Sequence, residues 1–203
     1  MSGTLKTGAV IVAAGMSSRM GAYKPMLRVG SVSMSQHIVS TLRKAGAEPI
    51  VVVTGHAADL LEDHLSGQEL VFLRNRNYRA TQMFDSAKIG LEYLCDKCEQ
   101  ILFTPVDIPL FKEPTVYKLL QSGAKIACPV FEGRKGHPLL IASELVPEIL
   151  SDQGEGGLKG AINRLKIPVT EVPVMDIGIV YDADTPSDYE KIMNIYKNTK
   201  PGS

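Results

Sequence analysis

Residues 10–27 read V-I-V-A-A-G-M-S-S-R-M-G-A-Y-K-P-M-L, and no other stretch limits the possible folds as strongly. The β-branched run Val10, Ile11, Val12 ends abruptly at Ala13-Ala14-Gly15, and small residues follow with Arg19 and Lys24 among them. A run apolar on both faces is a buried strand. The small residues beyond it let backbone N–H groups approach a ligand, and glycine permits turns that aim successive N–H groups at one anion. Two cations a few residues apart can then neutralise a polyphosphate held there. The stretch is a candidate triphosphate loop at the end of a buried strand. It is not a P-loop, which would need lysine directly after Gly21, where Ala22 stands. It also lacks the G-x-G-x-x-G dinucleotide fingerprint.

The rest of the chain alternates short β-branched runs with longer amphipathic segments, which predicts an α/β fold with a mostly parallel sheet. Strands are expected at residues 9–14, 50–54, 70–73, 101–103 and 126–131, with an antiparallel return at 138–141. A last strand is expected at 170–174, with a possible continuation over 177–181. Met34, Ile38 and Leu42 recur at helical spacing with Gly46 as the stop. Other helices are expected after Gly55-His56, over 83–94, 115–120, 145–150 and 158–165. Thr185 as N-cap, Pro186 at the first helical position and Asp188 at the third begin a closing helix.

With 203 residues and no linker, repeat or low-complexity tract, the expectation is one domain over 1–203, with frayed ends at 1–7 and 197–203. Lys+Arg and Asp+Glu both number 22, so no global charge draws the chain to nucleic acid or to a membrane surface. The N-terminus lacks a signal-peptide pattern and no apolar run is long enough to span a bilayer, so the cytoplasm is the default location. Three cysteines are too few for a disulfide scaffold. Cys95 and Cys98 have redox-pair spacing, but two ordinary thiols at a helix end is the simpler reading, and Cys128 belongs to an apolar strand pattern.

Ligands of open α/β sheets sit beyond the carboxyl ends of the strands, where the strand order reverses. If the first four strands are ordered 3-2-1-4, the loop carrying Arg19 and Lys24 faces the loop carrying Asp107. Asp107 stands in T-P-V-D-I-P-L and is either a helix N-cap or a metal carboxylate. An acid opposite a phosphate loop needs an intermediary cation, and Mg²⁺ takes a carboxylate or two plus phosphate oxygens.

Four motifs in order carry a family resemblance. The first loop resembles the A-A-G-x-S-x-R-M-G-x-x-K signature of nucleotidyltransferases of the molybdenum-cofactor type. Residues 104–110 resemble that family's P-x-D-x-P element, residues 133–138 its G-x-x-G-H-P turn, and residues 182–189 its D-x-D-T-P-x-D-Y element. The resemblance spans roughly residues 8–196. It implies a three-layer Rossmann-like nucleotidyltransferase fold with one antiparallel strand. The branch resembled most is the molybdenum cofactor cytidylyltransferases, on the strength of Ala14 where guanylyltransferase relatives tend to have glycine.

The implied reaction is transfer of CMP from CTP to the phosphate of molybdopterin, with Mg²⁺ as cofactor. The resemblance implies nucleotide binding by Ala13, Ala14, Gly15, Met16, Ser17, Ser18, Asn75 and Pro105, and puts Arg19 and Lys24 on the β- and γ-phosphates. It implies Mg²⁺ on Asp107, with Asp184 as second ligand and Asp182 behind it; the alternative is that both late acids only shape a turn. His137 is an implied pterin contact or a structural hairpin residue. A molybdenum hydroxylase is an implied partner, with no nucleic acid and no membrane. Two departures stand out: Gln82 replaces a family glycine, and residues 155–161 lack the family's G-D-x-G-A-R. The alternatives are a guanylyltransferase, a sugar-phosphate nucleotidyltransferase of the same fold, or a non-catalytic nucleotide-binding maturation chaperone. The chaperone has little need of Arg19, Lys24 and Asp107 together.

Overall fold

β1 (Thr7–Ala13) is buried along its whole length and everything else is arranged around it. In the computed structural model, which describes residues 6–199, β2 (Arg28–Val29), β3 (Val32–Ser33) and α1 (Met34–Lys44) follow. Next come β4 (Ile50–Thr54), α2 (Ala58–His64), β5 (Val71–Arg74), α3 (Met83–Leu94) and β6 (Gln100–Pro105). The chain continues through α4 (Glu113–Leu120), β7 (Ile126–Phe131), β8 (Arg134–Lys135) and β9 (Leu139–Ala142). It closes with α5 (Val146–Ser151), α6 (Gly157–Arg164), β10 (Thr170–Pro173) and α7 (Pro186–Thr199).

The main sheet runs β10-β7-β9-β6-β1-β4-β5, with β8 paired to β7; β2 and β3 form a separate ribbon. The parallel group β5-β4-β1-β6 has the order that would set the first loop opposite Asp107. Its strands are β-branched on both faces because both faces are covered. Ala9, Ile11 and Ala13 point into the core beneath α1, α2 and α4. Val10 and Val12 point into the core beneath α3, α5 and α6. The result is three layers with the sheet in the middle.

Local chemistry sets the helix ends. Ser33 and Gln36 form a reciprocal capping box on α1, and Gly46, at φ 86°, ends that helix region in the left-handed conformation. Thr185 and Asp188 cap α7 reciprocally, with the Thr185 hydroxyl donating to Asp188 at 2.6 Å and accepting from the Asp188 N–H at 3.3 Å. A third apolar cluster of Val29, Met34, Leu110, Ala183 and Ile192 fastens α7 to the ribbon and to the segment after β6.

The structure departs from the sequence expectation in three places. β9 is the expected antiparallel return, pairing with both β6 and β7, but β8 is a second antiparallel strand. Glu132 (φ 48°) and Gly133 (φ 76°) both take positive φ, the requirement of a tight two-residue hairpin. Residues 177–181 do not extend β10: Ile177–Val180 is a 3₁₀ turn. The buried Asp176 carboxylate accepts from Gly178 N–H, Lys112 N–H and the Thr115 hydroxyl, which bends the chain there. At the ends, Thr7 already pairs in β1 and residues 197–199 belong to α7, while residues 1–5 and 200–203 lie outside the described residues. No helix among the described residues is long and apolar enough to cross a membrane.

Gly90 lets α3 lie directly on β1: a Cβ there would stand 2.5 Å from Val10 Cγ1 and 3.2 Å from Val53 Cγ2. Both neighbours are stiff β-branched side chains that cannot swing away. Gly90→Ala is expected to destabilise the protein by about 1–3 kcal/mol, read as a lower urea midpoint; an unchanged or raised midpoint would contradict this packing.

Candidate active site

The chain runs outward from β1 to β4 and β5, then returns to β6 on the other side of β1, so the strand order reverses between β1 and β6. Val12 pairs with Pro105, and the Val106 N–H donates to the Val12 carbonyl at 3.0 Å. This register delivers Asp107 beside the loop that follows Ala13. That loop is held in shape by Ser17, which takes φ 55°. Its hydroxyl accepts from the Lys24 N–H at 3.1 Å and its carbonyl from the Met20 N–H at 3.0 Å. Among the described residues, no recorded hydrogen bond uses the N–H of Gly15, Met16, Ser18 or Arg19, leaving these donors for a ligand.

The cations and the acids meet. Lys24 Nζ lies 2.7 Å from Asp184 Oδ1 and 3.2 Å from Asp107 Oδ2, and the Arg19 guanidinium lies 3.0 Å from Asp184 Oδ2. Lys24 is only 9% exposed. Burial alone would lower its pKa, but hydrogen bonds and charge from Asp184 and Asp107 outweigh burial and hold it above the ordinary value. Asp184 is carried in by the Ala183 N–H, which donates to the Asp107 carbonyl at 2.9 Å, and by the cap of α7 just behind it. Neither acid is a helix cap: Lys112 is the N-cap of α4, and Thr185 with Asp188 caps α7. Partial burial and the neighbouring Asp184 and Asp107 carboxylates push Asp182 upward.

One cavity adjoins this cluster and shares part of its lining with a second. The first, of about 160 Å³, is bounded by Ala13, Ala14, Gly15, Ser17, Lys24, Pro105 and Asp107 on one side and by Tyr78, Thr81, Gln82, Met83 and Ser86 on the other. The second, of about 650 Å³, is largely apolar, with Phe84, Phe103, Ile126, Leu139 and Ile162 in its wall and His137, Lys135 and Lys159 among its polar groups. Gln82 and Met83 line both.

Of the other sequence candidates, Met16 and Ser18 are exposed on the loop and Arg19 reaches the site only through its guanidinium. Asn75 is buried, and its amide is engaged within the protein: Nδ2 donates to Thr81 and Ser86, and Oδ1 accepts from the Asn77 N–H. It shapes the wall of residues 75–82 from beneath. His137 lines the second cavity, edge-tilted against Phe103 at 6.2 Å. Gly136 before it has no room for a side chain, since a Cβ would lie 2.3 Å from the Ile179 carbonyl oxygen.

The sequence did not reveal the role of Tyr78, Gln82 or the 156–159 segment. Tyr78 packs on His56, which packs on Tyr23. Gly55 admits this packing, because a Cβ there would meet both Ala14 and Tyr78 within 2.9 Å. Such wall residues carry no motif, since what places them is the docking of one loop on another.

The donors fit a divalent cation. Two cations, Arg19 and Lys24, stand against three carboxylates, Asp107, Asp182 and Asp184. A triphosphate would add further negative charge to that excess. Hard carboxylate oxygens with room for phosphate oxygens are what Mg²⁺ or Mn²⁺ takes. Among the described residues no three His, Cys, Asp or Glu side chains are grouped so as to hold a metal ion by themselves, so two carboxylates would need the oxygens of a nucleotide to complete the coordination.

A three-layer sheet with a cation-and-carboxylate site at its switch point defines a nucleotide-binding α/β protein. This chain belongs to the MobA-like NTP transferase domain family, whose pattern matches residues 9–169. It is similar to the bifunctional protein GlmU of Staphylococcus epidermidis, 30% identical over 115 residues, covering 56% of this chain and 25% of that protein. The chain thus spans about a quarter of the length of the curated relatives it matches. The fold is shared with a nucleotidyl transferase from Methanothermobacter thermautotroptrophicus at a TM-score of 0.85 and 22% identity, covering 98% of this chain and 100% of that one. It is also shared with a manganese complex of Rv0371C from Mycobacterium tuberculosis, at 0.75 and 20%, covering 93% and 98%. A molybdopterin-guanine dinucleotide biosynthesis protein A from Archaeoglobus fulgidus matches at 0.67 and 16%, covering 95% and 100%.

Burial lowers the His137 pKa from 6.5 to about 4, against an opposing pull from Asp107. The imidazole is therefore neutral near pH 7, a hydrogen-bonding group with no charge. Its contribution to stability is complete above about pH 6.5 and is lost as pH falls toward 4, by up to about 3 kcal/mol. His137→Gln is expected to flatten this part of the stability–pH profile; an identical fall in both proteins between pH 6.5 and 4 would contradict it.

Proposed function

We propose that this chain is a Mg²⁺-dependent nucleotidyltransferase that transfers CMP from CTP to the phosphate of molybdopterin and releases pyrophosphate. The observation that carries the reading is the meeting of a small cavity of mixed lining, which includes Lys24 and Asp107, with a larger and more apolar one at a shared wall, Gln82 and Met83. One cavity suits a nucleotide, and the other suits a ring system that brings a phosphate to the junction.

An acceptor phosphate oxygen attacks the α-phosphorus of CTP in line. The bond from that phosphorus to the α,β-bridging oxygen breaks, and pyrophosphate leaves with the electron pair. The second pKa of a phosphate monoester is about 6, so the nucleophile is largely dianionic near neutrality and needs no general base. The barrier lies in bringing anions together and in the charge that grows on the leaving group. The N–H groups of residues 14–18 and the Arg19 and Lys24 cations hold the triphosphate against that charge. Asp107 and Asp184 are the residues that would hold Mg²⁺, which when bound supplies positive charge to the α-phosphate and the leaving oxygens. His137, neutral and recessed, offers the pterin a hydrogen bond without attracting a second anion. Asn75 acts through the wall it braces, and Pro105 sets the turn into Asp107.

The choice of cytidine rests on Ala14, which lines the first cavity. The second cavity is walled chiefly by apolar side chains with Lys135, His137, Lys159 and Asn163 among them, a surface on which a flat ring can lie while its polar edge finds partners. We read the chain as one catalytic domain that passes its product to a molybdenum hydroxylase.

CTP with Mg²⁺ at 100 times its Kd is expected to stabilise the protein by about 2.7 kcal/mol; stabilisation by GTP but not CTP in the same melting assay would overturn the base assignment. Asp107→Ala is expected to abolish pyrophosphate release while its melting point stays within about 2–4 °C of the parent. Undiminished Mg²⁺-dependent release by that variant would remove Asp107 from the metal.

A further inference from the structure

Lys24 does more in this arrangement than wait for a phosphate. Its ammonium sits between the two carboxylates assigned to the metal, 3.2 Å from Asp107 and 2.7 Å from Asp184. Arg19 occupies the other Asp184 oxygen at 3.0 Å. Lys24 is not a mobile surface cation that drifted there. It is buried, its backbone N–H is tied to Ser17, and Pro25 follows it in a short 3₁₀ turn, also buried. The oxygens a divalent ion needs are thus already neutralised by the chain's own cations. Two partners draw the acids together, while the loop N–H groups a few residues away carry no recorded acceptor among the described residues.

We propose that Lys24, helped by Arg19, is a resident counter-cation that keeps divalent metal off Asp107 and Asp184 until a triphosphate draws the ammonium away. This rests on the reading of the site as a metal–nucleotide centre and adds to it an order of events. Metal alone must displace an ion pair whose lysine is buried and whose carboxylates are partly shielded from water, where the pairing is stronger than on an open surface. A bound triphosphate offers the Lys24 ammonium and Arg19 guanidinium new anionic partners on the β- and γ-oxygens, so the carboxylates are released as the metal arrives. Metal and nucleotide therefore bind cooperatively, and by linkage each strengthens the other by the same factor.

The test is Mn²⁺ affinity, read from the free-ion electron paramagnetic resonance signal, with and without the non-transferable analogue α,β-methylene-CTP. The proteins are the parent, Lys24→Met and Asp184→Asn, each checked for folding by circular dichroism. The parent is expected to bind Mn²⁺ at least tenfold more tightly with the analogue than without it. Lys24→Met is expected to bind Mn²⁺ at least tenfold more tightly than the parent when the analogue is absent, and Asp184→Asn to bind it weakly throughout. Equal or weaker Mn²⁺ binding by folded Lys24→Met without nucleotide would overturn the counter-cation role while leaving the metal site standing. If the parent bound no Mn²⁺ even with the analogue, the metal reading itself would fall. A second variant, Lys24→Arg, keeps the charge and is expected to retain the exclusion; metal binding as tight as in Lys24→Met would also overturn the proposal.

Discussion

The ion cluster of Lys24, Asp107, Asp184 and Arg19 is the interaction on which the rest of the structure converges. Its members come from three distant parts of the chain, each brought in by a different device. β1 and its loop deliver the cations, the end of β6 delivers Asp107, and the capped start of α7 delivers Asp184. Partly buried charges are costly unless they are paired. The fold therefore needs all three elements in register before this region is stable without a ligand. The same pairing keeps two carboxylates close, which an uncompensated site could not do.

Around that cluster the sheet sorts the chemistry by side. The β1 side of the first cavity is built largely from small residues and backbone with Lys24 among them, the kind of surface that meets a polyphosphate through N–H groups and a few fixed cations. The second cavity draws its wall from α3, β6, β7, β9 and α6 and is mostly apolar. The boundary between them falls at Gln82 and Met83, the start of α3. Helix α3 is held down on β1 by the close approach at Gly90, so packing in the core sets the distance between the two halves of the site.

Much of this was legible in the sequence because it rests on local chemistry. The β-branched run ending at Ala13-Ala14-Gly15 predicts both the strand and the loop, the T-P-S-D sequence predicts the cap of α7, and the alternating pattern predicts a mostly parallel sheet. Tertiary effects were less visible. Residues 177–181 read as a continuation of the last strand, but the buried Asp176 and the lack of space at Gly178, where a Cβ would lie 2.2 Å from the Leu110 carbonyl oxygen, turn Ile177–Val180 into a 3₁₀ segment. Asn75 reads as a ligand contact, yet its amide is engaged by Thr81, Ser86 and Asn77. The 155–161 segment matched no motif, but the turn of positive-φ glycines at 156 and 157 places it against the second cavity.

The central claim is that the two cavities hold the two substrates of one transfer. Incubating the protein with Mg²⁺, α-phosphate-labelled CTP and either molybdopterin or a panel of sugar 1-phosphates, then following the label by chromatography, tests it most directly. The account predicts that label passes to molybdopterin, one equivalent per pyrophosphate released, and stays with CTP when only sugar phosphates are offered. Label that moved to a sugar phosphate, or stayed on CTP with every acceptor, would contradict it.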